Sequence, residues 1–132
     1  MINALNCPCG SQKKYQKCCQ IVHKDISIVE TAEQLMRSRY TAFTKAMGNY
    51  LMTSHHSTTR PLAEKKAIVT WAKSLKWDRL EILNTTKGLE GDTKGTVEFN
   101  AYYFQNTIEE CIHENSQFVK ENGIWMYLGF AE

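Results

Sequence analysis

Four of the chain's five cysteines fall in its first 19 residues, within the run CPCGSQKKYQKCC. Cys7 and Cys9 form one close pair, Cys18 and Cys19 another, and the loop between them is polar. Zinc takes four sulfur or nitrogen ligands, with sulfur at about 2.3 Å, and structural sites leave no position open. Pro8 stiffens the first pair, and Gly10 and Ser11 let the backbone turn sharply behind it. So short a segment cannot bury a core of its own. Metal binding, worth roughly 10–16 kcal/mol in comparable peptides, supplies the folding energy instead. The expected cofactor is therefore one structural Zn2+ held by Cys7, Cys9, Cys18 and Cys19. His23, just beyond the run, is the alternative to Cys19 as fourth ligand.

Four cysteines in a small chain also suit two disulfides, the pattern of secreted domains. The start MINALNCPCG argues otherwise, having no basic region and no apolar run of signal-peptide length. A bridge between the adjacent Cys18 and Cys19 would be strained. The expected location is the cytoplasm, where thiols stay reduced and clustered cysteines bind metal. No apolar stretch approaches the roughly 20 residues of a membrane span.

The net charge of +2 is unevenly placed. Residues 1–24 carry Lys13, Lys14, Lys17 and Lys24, and all 14 acidic residues lie beyond them. Ammonium groups beside a four-thiolate site favour the ionised sulfur. The same lysines, interleaved with Tyr15, also suit an acidic protein face or nucleic-acid phosphate. One basic turn is too small to specify nucleic acid.

Past the cysteines, Ser27 to Glu30 has the S-x-x-E form of a capping box. Ala32, Leu35, Met36, Arg39, Tyr40, Phe43 and Met47 follow at helical spacing, which predicts an amphipathic helix of about five turns stopped by Gly48 and Asn49. A short helix over 50–55 and a third opening at Pro61 complete the helical half. Strands are expected over 77–86, 96–104, 108–120 and 124–130, with Asn122-Gly123 turning the last hairpin. Helices first and an antiparallel meander after them give an α+β class. The expected division is residues 1–24 and residues 25–132.

The run from Cys7 to Cys19 resembles the SEC-C motif, the zinc knuckle of the SecA translocase motor: C-P-C-G-S, a lysine-rich segment with an aromatic, then C-C. The segments LMRSRYTAF, YLMTSH, HENSQF and NGIWMYL extend the resemblance over nearly the whole chain to the YchJ family of small bacterial proteins. That resemblance implies a SEC-C knuckle followed by a domain like nuclear transport factor 2. Such a domain packs three helices on a curved four-stranded antiparallel sheet to enclose a cone. It implies no reaction, because the fold hosts enzymes and binding modules alike. The second knuckle that some members carry has no counterpart in these 132 residues.

Several polar residues are candidates for chemistry. Strand alternation puts Glu114 on one face with Ile112, Ser116 and Phe118. A carboxylate in an apolar cone either pairs with a cation, here Arg37 or Arg39, or has a raised pKa. His55 at the end of the short helix is the candidate acid–base partner. His113 and Cys111 share the opposite face, where Cys111 reads as a small apolar filler. Trp125 and Tyr127 are candidates for an outer sheet face that pairs two copies.

The favoured reading is a zinc-stabilised adaptor binding a protein through Lys13, Lys14, Tyr15 and Lys17. The cone and its Arg37 and Arg39 are then left for a small ligand. The alternatives are a hydrolase or isomerase using Glu114 and His55, and nucleic-acid binding through the knuckle. With no phosphate-binding glycine loop, nucleophile elbow or second metal cluster in the sequence, an enzyme is the less expected outcome.

Overall fold

A computed structural model of the chain describes residues 6–130. The described residues run through four α-helices and then four strands: α1 (Cys19–Lys24), α2 (Ala32–Thr44), α3 (Gly48–Thr53), α4 (Lys65–Ser74), β1 (Lys76–Lys87), β2 (Lys94–Gln105), β3 (Ile108–Glu121) and β4 (Ile124–Phe130). The strands form one antiparallel sheet in sequence order, so each pairs with its chain neighbour. This is the expected α+β architecture, with α1 belonging to the cysteine segment.

Helix α2 begins later than the sequence suggests. Thr31 is its N-cap, its hydroxyl accepting the Gln34 N–H at 3.1 Å. The expected capping box is absent because Asp25 claims Ser27, accepting both its N–H (3.1 Å) and its hydroxyl (2.5 Å) around a single 3-10 turn. The helix is also shorter than five turns. Ala46 adopts φ 53°, its N–H reaching Phe43 O (3.1 Å), and the Met47 N–H reaches Ala42 O (2.9 Å). These two bonds are a Schellman end, with alanine in the left-handed position usually given to glycine. Gly48 opens α3 rather than closing α2. A Cβ there would lie 2.6 Å from the Val69 methyl of α4, so only glycine lets the two helices approach.

The hairpin between β3 and β4 turns as its sequence demands, with Asn122 at φ 54° and Gly123 at φ 80°, the two left-handed residues of a type I′ turn. On β2, Val97, Phe99 and Ala101 are buried against Leu35, Met36 and Tyr40 of α2, with Phe118 and Trp125 completing the core. This packing decides which sheet face is inner. Trp125 is fully buried, and its indole N–H donates to Glu30 O at 3.0 Å. Tyr127 sits beside Phe118 on the same inner face, ring centroids 5.8 Å apart. The expectation of Trp125 and Tyr127 on an outer pairing face is thus corrected: alternation put them together, but only the helices show on which side. The outer face carries polar pairs instead, including His113 with Glu98 at 2.7 Å. Cys111, expected as a filler, is exposed there.

Helices α3 and α4 close the remaining side of the cone. The chain leaving α3 is stitched to the edge strand β4 by Tyr127 N–H to Ser54 O (2.9 Å) and His56 N–H to Tyr127 O (2.8 Å). Helix α1 docks through Val22 on a second cluster of Ala42, Tyr50, Leu51 and Met52. The cysteine segment is therefore packed against the larger domain.

Candidate functional site

The cysteine segment folds around its own sulfurs. The Cys7 N–H reaches Lys13 O at 2.7 Å, and Gly10, at φ 85°, returns its N–H to Cys7 O. A 3-10 turn at Tyr15–Lys17 then delivers Cys18 and Cys19. The ligand atoms of Cys7, Cys9, Cys18 and Cys19 all lie within 4.8 Å of one another. All five cysteines of the chain are free thiols. Cys7, Cys9 and Cys19 are buried and Cys18 is half-exposed.

The donor set suits a divalent cation. Hydrogen bonds from Cys19 and Cys9 hold Cys7 far below the ordinary thiol range. Cys19 is pushed far above it by its bonds to Cys7 and Cys9 and by burial. Thiols this close cannot all ionise together without a cation among them. A metal resolves that conflict, since coordination requires the thiolate.

Groups from α2 surround the cluster. Thr41 donates to the Cys19 sulfur at 3.4 Å and lies 3.7 Å from that of Cys7. The Ser11 hydroxyl is 3.1 Å from the Cys18 sulfur. Arg37 donates to Cys9 O at 2.5 Å and to Glu33 at 3.0 Å. Arg37 therefore clamps the knuckle and does not face the cone. His23 is likewise committed. A carbonyl can only accept, so its Nε2–H donates to Ser38 O (2.7 Å) and its Nδ1 accepts the Tyr15 hydroxyl (2.8 Å). Both ring nitrogens of His23 are engaged away from the sulfurs, which leaves Cys19 in the set of four. Tyr15, expected as a contact for a partner, is held by His23 and lies under the Lys45 ammonium at 4.2 Å. Lys13, Lys14 and Lys17 are exposed.

The cone encloses a cavity of about 300 Å³. Its walls are largely apolar, with Phe43, Trp71, Trp77 and Phe99 prominent, and Arg39, His55, Glu114 and Ser116 also line it. Arg39 is buried. Its Nη1 donates to Leu51 O (2.9 Å) and Ser54 Oγ (2.6 Å), and its guanidinium lies over the Tyr127 ring at 4.5 Å. Burial pushes it down to about 10, so it remains a cation at neutral pH. Glu114 accepts from the Ser116 hydroxyl at 3.3 Å. Burial raises its pKa, opposed by Ser116 and by the Arg39 charge. The expected direct Glu114–Arg39 pair is not formed among the described residues: backbone and Ser54 take the guanidinium edge nearest α3. His55 stands edge-on to Tyr127 at 4.9 Å, and burial with the Arg39 and Arg60 charges pushes it down to about 4. Glu114 and His55 thus both line this cavity.

Sequence reasoning missed Ser38, Thr41 and Tyr40. Ser38 donates to Leu35 O and meets the Tyr50 hydroxyl at 2.6 Å. Polar residues on the buried stripe of a helix were the available signal for Ser38 and Thr41. Tyr40 also lines the cavity, and its buried hydroxyl has no hydrogen-bond partner among the described residues.

Comparison with known proteins agrees with this geometry. The family model for the YchJ middle, nuclear transport factor 2-like domain matches residues 31–129, and that for the SEC-C motif matches residues 6–21. A UPF0225 protein of Vibrio parahaemolyticus is 38% identical over 125 residues, covering 95% of this chain and 74% of that protein. One from Streptomyces coelicolor is 40% identical over 121 residues, covering 92% and 90%. Among solved structures, the solution structure of a SEC-C motif protein from Rhodopseudomonas palustris superposes with a TM-score of 0.81 at 29% identity, covering 96% of this chain and 97% of that one. The crystal structure of a SEC-C motif protein from Psychrobacter arcticus gives 0.80 at 30% identity, covering 100% and 86%.

Proposed function

We propose that this chain, which belongs to the YchJ family of SEC-C motif proteins, is a cytoplasmic zinc-stabilised adaptor whose basic knuckle engages an acidic protein surface. The supporting observation is the placement of Lys13, Lys14 and Lys17. All three are exposed on a loop fixed between the two cysteine pairs, and the knuckle is clamped to α2 by Arg37 and Thr41. A rigid cluster of like charges loses little freedom on binding and steers an oppositely charged partner.

Zinc is the metal that suits a compact four-sulfur set. When bound, it would offset half of the negative charge of the four thiolates and tie the loop together. Thr41, Ser11 and Arg37 do the rest, hydrogen-bonding the sulfurs and the Cys9 carbonyl so that the loop holds one orientation on the domain.

Charge reversal of Lys13, Lys14 and Lys17 to Glu should abolish recovery of the partner in pull-down while the domain stays folded by circular dichroism. Native mass spectrometry should find one zinc per chain. A variant that retrieves the same proteins as the parent would remove the adaptor reading. Recovery of nucleic acid, lost steeply with added salt, would replace it with a phosphate-binding one.

The cavity supports a second reading, in which the cone takes a small ligand. Its volume and mixed lining fit the lower end of ligand pockets, which run from about 300 Å³. Glu114 and His55, facing that same space, are the residues a hydrolase or isomerase would use there. The substitutions Glu114→Gln and His55→Gln would each have to abolish any turnover found.

A further inference from the structure

The cavity is divided by the sheet's two edges. At the β1 edge stand rings: Trp77 meets Trp71 at 5.6 Å and Phe43 at 6.1 Å. At the β4 edge polar groups gather about Tyr127, with Arg39 above its ring and His55 at its side. Glu114, one strand inward on β3, faces the same space. Only Nη1 of Arg39 has hydrogen-bond partners among the described residues, so the rest of its guanidinium retains donors. An occupant should therefore be apolar and flat at one end and polar at the other.

From this division, and resting on the reading of the cone as a small-ligand site, we propose that the cavity binds a small amphipathic carboxylate, its apolar body against Trp71 and Trp77 and its anionic head between Arg39 and Glu114.

Charge balance selects the anion. Arg39 is a permanent buried cation, and buried charges must be balanced. An ammonium head would set a second cation beside it, with Glu114 alone to offset both. The empty site is neutral with Glu114 ionised, and a carboxylate head keeps it neutral when Glu114 takes up a proton, which burial already favours. Arg39, by contrast, cannot shed a proton to accommodate a cation. The protonated Glu114 then donates to the head alongside Arg39. The other groups facing Glu114 do not alter the count. His55, beyond α3, is neutral above about pH 5, because it titrates near 4. The Tyr127 phenol of β4 has its pKa raised by burial, and Phe99 of β2, paired opposite Glu114, carries no charge. Helix α4 contributes only Ile68 and Trp71.

The binding is thus linked to proton uptake at Glu114. Affinity should fall as pH rises through the Glu114 pKa, by up to about tenfold per pH unit above it. Isothermal calorimetry on the intact, metal-loaded chain tests this with three matched probes: cinnamate, cinnamyl alcohol and cinnamylammonium. Cinnamate should bind best, with buffer-dependent heat reporting the proton taken up. Glu114→Gln should flatten the pH slope and, on the alkaline side of the Glu114 titration, bind cinnamate more tightly than the parent, the gap widening by up to about tenfold per pH unit. Preference for cinnamylammonium or the alcohol would overturn the carboxylate assignment while leaving the cone a ligand site. A pH slope for cinnamate that persists in Glu114→Gln would overturn it as well. Failure of all three probes to bind at millimolar concentration would overturn both the assignment and the ligand-site reading.

Discussion

Thr41 donates to one metal-site sulfur and sits beside another, although it belongs to the helix of the larger domain. Such outer partners orient ligands, and losing one typically costs about 10–100-fold in metal affinity. Thr41→Val keeps the shape and removes the hydroxyl. It should weaken zinc binding by about tenfold in chelator competition; an unchanged affinity would mean that the contact is incidental. His55 makes a different demand at the opposite side of α2. Its folded pKa, near 4, is below the usual value of about 6.5. Its contribution is therefore complete above about pH 6.5 and is lost as pH falls toward 4, because the unfolded chain takes the proton first. In denaturant unfolding, His55→Gln should lose less stability than the parent between pH 7 and 5, by about 1–2 kcal/mol after allowance for solvent screening. Parallel pH profiles would contradict this.

At the scale of elements, the end of α2 carries an avoidable cost. Ala46 occupies the left-handed region, which costs an L-residue about 1–2 kcal/mol, and the Schellman bonds of Ala46 and Met47 need only the backbone. Ala46→Gly should raise the unfolding free energy by about 0.5–1 kcal/mol, read as a higher thermal midpoint. No gain would show that the Ala46 methyl packs well enough to offset its strain. The helix boundaries were the least legible part of the sequence, and Asp25, Ala46 and Gly48 show why. Each acts through a competing local bond or through a neighbour distant in sequence: Asp25 takes Ser27 from the capping box, and Gly48 is required by Val69. The strands were legible almost to the residue, because alternation and the Asn122-Gly123 turn are local signals.

At the scale of the molecule, the knuckle and the cone share α2. Its Arg37 and Thr41 hold the cysteine loop, and its Arg39 and Tyr40 face the cavity. Metal removal should therefore be felt beyond the cysteines. After chelation, amide exchange should accelerate across residues 7–24 and in the α2 turn carrying Arg37 and Thr41, with the sheet still protected. Unaltered exchange in the cysteine segment would show that it folds without metal. The four cysteines, the strand order and the face that Glu114 shares with Ile112, Ser116 and Phe118 were all determined by the sequence itself. Residue spacing fixes which thiols can meet, and strand pleat fixes which side chains share a face. The tertiary structure alone decided which sheet face turns inward, burying Trp125. It also decided that Tyr15, His23 and Arg37 brace the knuckle, and that Arg39 is anchored by Leu51 and Ser54 without pairing directly with Glu114. Those choices depend on how helices dock over a curved sheet, and such contacts between distant residues leave no periodic trace along the chain.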